Sequence, residues 1–388
     1  MKSLTVKSDD EDDDDDDDDS EDDNRVDELP IKSFCSLVDH HKTVCCFSVD
    51  RANSRFITGG RDNTVKMWDF HGMSSVMKPF KSMEPEEGNP IRDIQFSNSG
   101  DSFLVAPSCW QPILYDKDGN EVHKFLKGDP YLRDFRHIKG HIAALTSLQW
   151  HPNDNSLFLT SSLDSTVRVW DVMDKKSSRN ALFVRPKGNV GKDPITSAVF
   201  SHDGRNILAG DSAGHIRVWN STTTTSIPLL TIDKAHMAGN PITCVQYSLN
   251  GHHIFSRSLD DTLKLWDLRN SKKSIGEANN VVSFHEEANA IYSPNERYIL
   301  CGTSVKKDAG PGKVLVFDSK TLEKVVEFET ATSCIRLLWP KKMNQIFAGL
   351  GNGDVQVLYD PDLSVGGVMV PLSKKPRKLA VDDYDIYM

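Results

Sequence analysis

The 388-residue chain contains no run of eighteen apolar residues, which excludes a bilayer-spanning helix. No apolar stretch of the kind a secretory leader carries precedes Asp9, so the expectation is a chain neither exported nor membrane-embedded. The seven cysteines (Cys35, Cys45, Cys46, Cys109, Cys244, Cys301 and Cys334) are scattered, odd in number and free of any CxxC pair. That pattern excludes a disulfide scaffold and the common zinc frameworks, and it suits reduced thiols in a core. Nucleophile elbows, phosphate loops and metal-ligand spacings are likewise missing. Gly349, Gly351 and Gly353 precede a strand, not a helix, and read as a hairpin turn. The expectation is therefore no catalytic residue, no cofactor and no metal.

A surplus of positive charge is also lacking, and the balance is unevenly spread. The formal charge is −10, yet residues 1–30 alone hold sixteen acids against three bases. Residues 31–388 then carry forty-three bases against forty acids, too near neutrality for a surface-wide nucleic-acid footprint, so direct nucleic-acid binding is disfavoured. Asp9–Asp23 is acidic at every position but Ser20, and self-repulsion predicts a disordered arm over residues 1–29. It reads either as a solubilising tail or as a polyanion mimic for basic partners. Ser8 and Ser20, each followed by acids, look like sites for an acid-directed kinase, whose phosphates would deepen the charge.

What the chain does have is a repeated cassette: Thr58–Asp69 (TGGRDNTVKMWD), Thr160–Asp171 (TSSLDSTVRVWD) and Ser256–Asp267 (SRSLDDTLKLWD). Each places an aspartate six residues before a tryptophan and a hydroxyl residue four before that aspartate. Gly210–Asn220 is a looser copy with Ala213 at the aspartate position, and Ile113–Asp116, Val314–Asp318 and Val355–Asp360 keep only the strand end. With Trp68, Tyr115, Trp170, Trp219, Trp266, Phe317 and Tyr359 as markers there are seven units, at a period slightly above the ~40–45 residues of a four-stranded propeller blade. Alternating strands such as Thr64–Trp68 and polar turns such as Ser97–Gly100, Ser201–Gly204, Ser248–Gly251 and Ser293–Glu296 predict an all-β fold of seven blades. The ring would occupy residues 30–372 with a tail over 373–388. Phe34–Val38 is the preferred strand to complete blade seven, with Gly367–Leu372 as its competitor, weakened by Pro371.

At the pattern HxxxxTxxxxD…W the chain resembles the WD40 family. The resemblance implies a structural hydrogen-bond tetrad in three blades: His41, Thr58, Asp62 and Trp68; His141, Thr160, Asp164 and Trp170; His236, Ser256, Asp260 and Trp266. Lys66, Arg168, Arg217 and Lys264, two before their markers, match the ordinary repeat. Stretches outside the common repeat (Phe56–Met73, Asn89–Gly100, Lys127–Tyr131, Gly302–Ser304 with Gly310–Lys313, Asn344–Asp360 and the tail residues Asp382, Asp383 and Tyr384) resemble the WD repeat-containing protein 70 (gastrulation-defective) family.

That resemblance implies a nuclear, non-enzymatic scaffold, monomeric within larger assemblies and connected with genome maintenance and RNA processing. Its partners would be chromatin or spliceosome components. Trp266, Asp267 and Arg269 match the WDxR box by which WD40 proteins dock on the damage-binding adaptor of cullin-4 ubiquitin ligases; an ordinary exposed arginine is the alternative. A second reading dispenses with the ligase and assigns the acidic arm to basic chromatin or spliceosomal proteins. Lys374, Lys375, Arg377 and Lys378 form a compact basic cluster that reads as a nuclear localisation signal, and electrostatic attraction between it and the acidic arm is expected. Binding surfaces should be loops, with His71–Gly88, Asp116–Gly140 (bearing Tyr131, Arg133, Phe135, Arg136 and His137) and Val305–Gly312 the longest.

Overall fold

The computed structural model describes residues 2–3, 6–7, 29–132, 137–174, 176–183, 193–223, 226–306 and 310–374. These residues form seven antiparallel sheets arranged as the blades of a propeller. Blade one comprises Val44–Val49, Arg55–Gly60, Val65–Asp69 and Lys81–Met83. Blades two to six repeat this order, beginning at Ile91–Phe96, Leu145–Trp150, Ile195–Phe200, Ile242–Tyr247 and Ala290–Tyr292. The seven marker residues all fall in the third strand of their blade.

Blade seven is assembled from both ends of the ring. Cys334–Leu338, Ile346–Leu350 and Asp354–Tyr359 supply three strands, and Ser33–Val38 supplies the outer one, pairing in register from Ser33↔Tyr359 to Val38↔Asp354. Lys32 Nζ adds an ion pair to the buried Asp360 at 3.1 Å. The competing segment forms a short helix, Met369–Ser373, as Pro371 lacks the amide proton a ladder needs. Lys2–Ser3 pairs outside Ser33–Val38, and Val6–Lys7 pairs outside the last strand of blade six. The acidic stretch with Ser8 and Ser20, Arg133, Phe135 and Arg136, the basic residues Lys375, Arg377 and Lys378, and Asp382–Tyr384 lie outside the described residues.

Two kinds of contact hold neighbouring blades together. Seven hydrophobic clusters each sit between two adjacent sheets; Cys46, Ile57, Val65 and Met67 of blade one, for example, face Ile91, Ile94 and Phe96 of blade two. The innermost strands have free edges, whose amides need partners. Side chains of the preceding blade supply them: Ser48 accepts from Phe96 N–H, Asp93 from Leu148, Gln95 from Trp150, Ser147 from Ala198, Gln149 from Phe200 and Asn289 from Leu337.

Two of the three expected long loops are shorter than the sequence suggests. Lys81–Met83 lies within His71–Gly88 and Glu121–Lys124 within Asp116–Gly140, each serving as the outer strand of its blade. Their alternation is too brief to be distinguished from a polar loop.

Candidate functional site

The hydrogen-bond relay is complete in three blades, with one correction. In blade three Trp170 Nε1–H donates to Thr160 Oγ1 at 2.7 Å, the hydroxyl is 2.7 Å from His141 Nε2, and His141 Nδ1 is 2.9 Å from Asp164. In blade five Trp266, Ser256, His236 and Asp260 repeat the path at 2.9, 2.7 and 3.0 Å. In blade one the histidine is His40, not His41: its ring lies 2.8 Å from Thr58 Oγ1 and 2.9 Å from Asp62, and Thr58 accepts from Trp68 at 3.1 Å. His41 is exposed and gives only its backbone N–H to Asp62, as Ile142 and Met237 do for Asp164 and Asp260. The 18-residue interval from His40 to Thr58 lies nearer the 19 and 20 of the other two blades than the 17 from His41.

A fifth participant recurs. Thr64, Thr166 and Thr262, two after the aspartate, donate their hydroxyls to it at 2.9, 2.6 and 2.7 Å. The repeated D-x-T in all three cassettes carries that signal. The residue between them, Asn63, Ser165 or Asp261, has φ near +65°, which closes the turn. Burial alone would raise these aspartates. In Asp62, Asp164 and Asp260 the histidine, the neighbouring amide and the threonine together outweigh it, holding the carboxyls well below the usual range. Burial dominates at His141 and pushes it down, so the relay runs from a neutral imidazole donating through Nδ1–H to an ionised Asp164. Such a chain of satisfied, buried polar groups fixes blade geometry and leaves no base free for chemistry.

Blade four departs from the pattern. Ala209 and Ala213 occupy the hydroxyl and carboxylate positions, and Trp219 Nε1 donates to the Ser226 carbonyl at 3.0 Å. The buried Asp211 takes over the turn, accepting from Ala213 N–H and His215 N–H, with the Arg217 guanidinium against its other oxygen. Asp193, Asp211 and His215 converge closely enough to hold a cation, but Arg217 already supplies one. The other cations two before a marker are also separately engaged: Lys66 with Asp39, Arg168 with the Ile138 carbonyl, Lys264 with Glu277. Blade two replaces the relay with an aromatic stack of Tyr115 on Phe103 at 5.3 Å.

The central channel encloses about 490 Å³ between the inner strands. Its charged groups are mutually neutralised. Arg61 and Arg92 converge on Glu287 at 2.9 and 2.7 Å, Arg92 lies 3.4 Å from Glu286, and Arg336 reaches Asp93 at 3.0 Å. Burial would raise Glu287, but the two arginines outweigh it and the carboxyl stays low; at Asp93 burial wins over Arg336 and the direction is upward. These links run from blades six and seven to blades one and two, so they bridge the seam where the ring closes.

At the opposite ends of the third strands every blade carries the same turn. Asp69, Asp116, Asp171, Asn220, Asp267, Asp318 and Asp360 each accept the backbone N–H two residues on, at 2.7–2.9 Å. The aspartate after the marker is therefore a turn cap, kept even where tryptophan is not. Its geometry projects His71, Asp118, Met173, Thr222, Arg269, Lys320 and Asp362 at equivalent positions around one face. Arg269 is exposed, and Asp267 grips its guanidinium through Nε and Nη2 at 3.0 and 2.8 Å. That hydrogen bonding holds the Asp267 carboxyl low. On the same face Lys374 is not free: its ammonium donates to the carbonyls of His71 and Met73, the latter at 3.0 Å.

Seven blades, three relays and seven Asx-capped turns coincide with what sequence comparison finds. A profile of the WD domain, G-beta repeat family matches residues 31–69, 133–171, 185–220 and 227–267. The chain carries WD40 repeats. It is 37% identical over 357 residues to WD repeat-containing protein 70 of Xenopus laevis, covering 92% of this chain and 57% of that protein. The human protein of that name is 36% identical over the same share of this chain, which covers 54% of its length. A gastrulation defective protein 1 homolog of Drosophila melanogaster is 32% identical over 338 residues, 87% of this chain and 52% of that protein. The chain thus spans a little over half the length of the curated relatives it matches. WD40 propellers generally mediate protein–protein contacts.

Proposed function

We propose that this propeller is a non-enzymatic protein-interaction scaffold that acts in the nucleus in genome maintenance and RNA processing, and docks on the damage-binding adaptor of cullin-4 ubiquitin ligases through Arg269. The observation that carries the docking reading is the Asp267–Arg269 fork. It stands exposed at a turn tip, and its guanidinium is pre-oriented by its own aspartate, so little side-chain freedom is lost on contact. Nuclear action is supported by the resemblance and by the basic cluster beginning at Lys374. The non-enzymatic reading is supported by channel carboxylates engaged by arginines and relay histidines committed to aspartates.

The test is direct binding of the purified chain to the purified adaptor. Arg269→Ala should weaken it at least tenfold while the fold is retained; unchanged affinity removes the ligase reading. The acidic stretch favours a second reading, a chromatin or spliceosomal scaffold without ligase role. A chain starting at Pro30 should then lose basic partners that Arg269→Ala keeps.

A further inference from the structure

The turn face of blades five and six carries a group of exposed cations, three of them lysines without an ion pair among the described residues. Arg269, Lys272 and Lys273 follow the third strand of blade five, Lys320 stands at the equivalent turn of blade six, and Arg297 lies beside it; all are exposed. The turns form one continuous surface. Leu268 N–H donates to the His252 carbonyl, Leu249 N–H to Glu296, and Ser319 N–H to the Arg297 carbonyl, while Gly276 lies against Thr321. Asp267 caps its turn and holds Arg269; Glu296 accepts from Ser248 and Leu249; Asp318 accepts from the amides of Lys320 and Thr321. Among the described residues, Lys272, Lys273 and Lys320 make no ion pair. These three ammonium groups are therefore left without a directly bound carboxylate, although Asp267, Glu296, Asp318 and Glu323 keep their own charge nearby.

Backbone direction says what can reach it. Val6 and Lys7 pair antiparallel with Phe328 and Glu327, so the chain beyond Lys7 heads toward Lys324, the end of that strand adjoining the Lys320 turn. It returns at Leu29, buried against blades six and seven, and enters Ser33, which pairs with Tyr359 at the same end of its blade. Twenty-one residues separate Lys7 from Leu29, a contour of about 70 Å at ~3.3 Å per residue. One blade of four strands is only about 20 Å wide at ~4.8 Å per strand. Fourteen of the fifteen residues Asp9–Asp23 are acidic. Lys7 and Leu29, which flank the most anionic segment, thus both lead toward the side of the ring that carries these lysines.

We propose that Asp9–Asp23 docks in cis on the turn face that bears the unpaired Lys272, Lys273 and Lys320. Of the basic tail only Lys374 is among the described residues, and its ammonium is already bound to blade one. The proposal does not depend on whether Arg269 binds a ligase adaptor.

The probe is a fluorescent peptide with the sequence Asp9–Asp23, added at about 50 mM salt to three proteins. These are the intact chain, a full-length chain whose residues 9–23 are replaced by a Gly/Ser linker of equal length, and that linker form with Lys272→Glu, Lys273→Glu and Lys320→Glu. A tethered segment acts at roughly millimolar effective concentration, so the peptide should bind the linker form at least tenfold more tightly than the intact chain. Binding should be lost in the triple variant, fall steeply by 300 mM salt, and survive Lys127→Glu with Lys139→Glu on the other face. Carbodiimide cross-linking of mixed light and heavy intact protein should join Lys272, Lys273 or Lys320 to the acidic segment within one molecule. Equal peptide affinity for intact and linker forms, no effect of the triple substitution, or cross-links only between molecules would overturn the proposal. So would tighter binding of the linker form to a short DNA duplex than to the peptide.

Discussion

Substituting the two adjacent histidines of blade one separates a buried relay from a surface position. The His40 ring is buried, bonded to Thr58 at 2.8 Å and to Asp62 at 2.9 Å. His40→Ala strands the Thr58 hydroxyl and removes one donor from Asp62, an unmet buried group costing about 1–3 kcal/mol. The cavity adds to this: removing an imidazole of roughly 65 Å³ at ~24 cal/mol per Å³ costs about 1.5 kcal/mol. Asp62 retains the His41 amide and Thr64, which limits the loss. The expected destabilisation is about 2–4 kcal/mol. His41 contributes a backbone amide that alanine preserves, so His41→Ala should stay within about 0.5 kcal/mol. Guanidinium unfolding followed by tryptophan fluorescence measures both. A double variant His40→Ala/Asp62→Ala should cost less than the sum of the singles, because the two side chains share one bond. Equal losses for the two histidines, or a neutral His40→Ala, would refute the assignment of the relay to His40.

Acid should unfold the protein in two stages. His141 is lowered by burial, so the unfolded chain binds its proton first and stability falls as pH drops below about 6.5. Asp62, Asp164 and Asp260 are held low, so their contribution is present above about 3.9 and lost below it; a flat midpoint from pH 7 to 3 contradicts both signs. Thr160→Val keeps shape but leaves the Trp170 N–H and His141 Nε2 unpaired, so a loss of about 2–4 kcal/mol is expected by the same unfolding assay. All seven cysteines are free, and burial pushes Cys35, Cys45 and Cys334 up to about 12 and Cys301 to about 11. At pH 8 those four should resist a thiol reagent in the native protein and react fully in denaturant; rapid native labelling of them counts against this packing. Arg269→Ala should leave the unfolding midpoint unchanged, since the Arg269 guanidinium is exposed and pairs only within its own turn.

Much of the ring was legible because its signals are local and recur. A strand ending in an aromatic and an aspartate needs only neighbouring residues to be read, and the Asx turn explains why Asp116, Asp318 and Asp360 persist without tryptophan. Blade number follows from counting such ends. The relay of blade three was legible for the same reason, as Thr160, Asp164 and Trp170 lie within one hairpin. His40 was not, because it enters from the connection between blades, where chain length varies and only packing selects the ring that reaches Thr58. The Asp211–Arg217 substitute in blade four was missed because its carboxylate sits two residues before the expected place, at Ala213.

Sequence by itself determined the repeat, the all-β class, the seven blades and the segregation of acid into one segment, since each is a property of residues close along the chain. Tertiary structure alone decided which histidine is buried and which acids cap turns while their lysine neighbours stand unpaired. It also decided that Glu287, Arg61 and Arg92 meet across the closing seam. Those outcomes depend on which side chains closure brings within 3 Å of one another, and a ring joins residues more than two hundred positions apart.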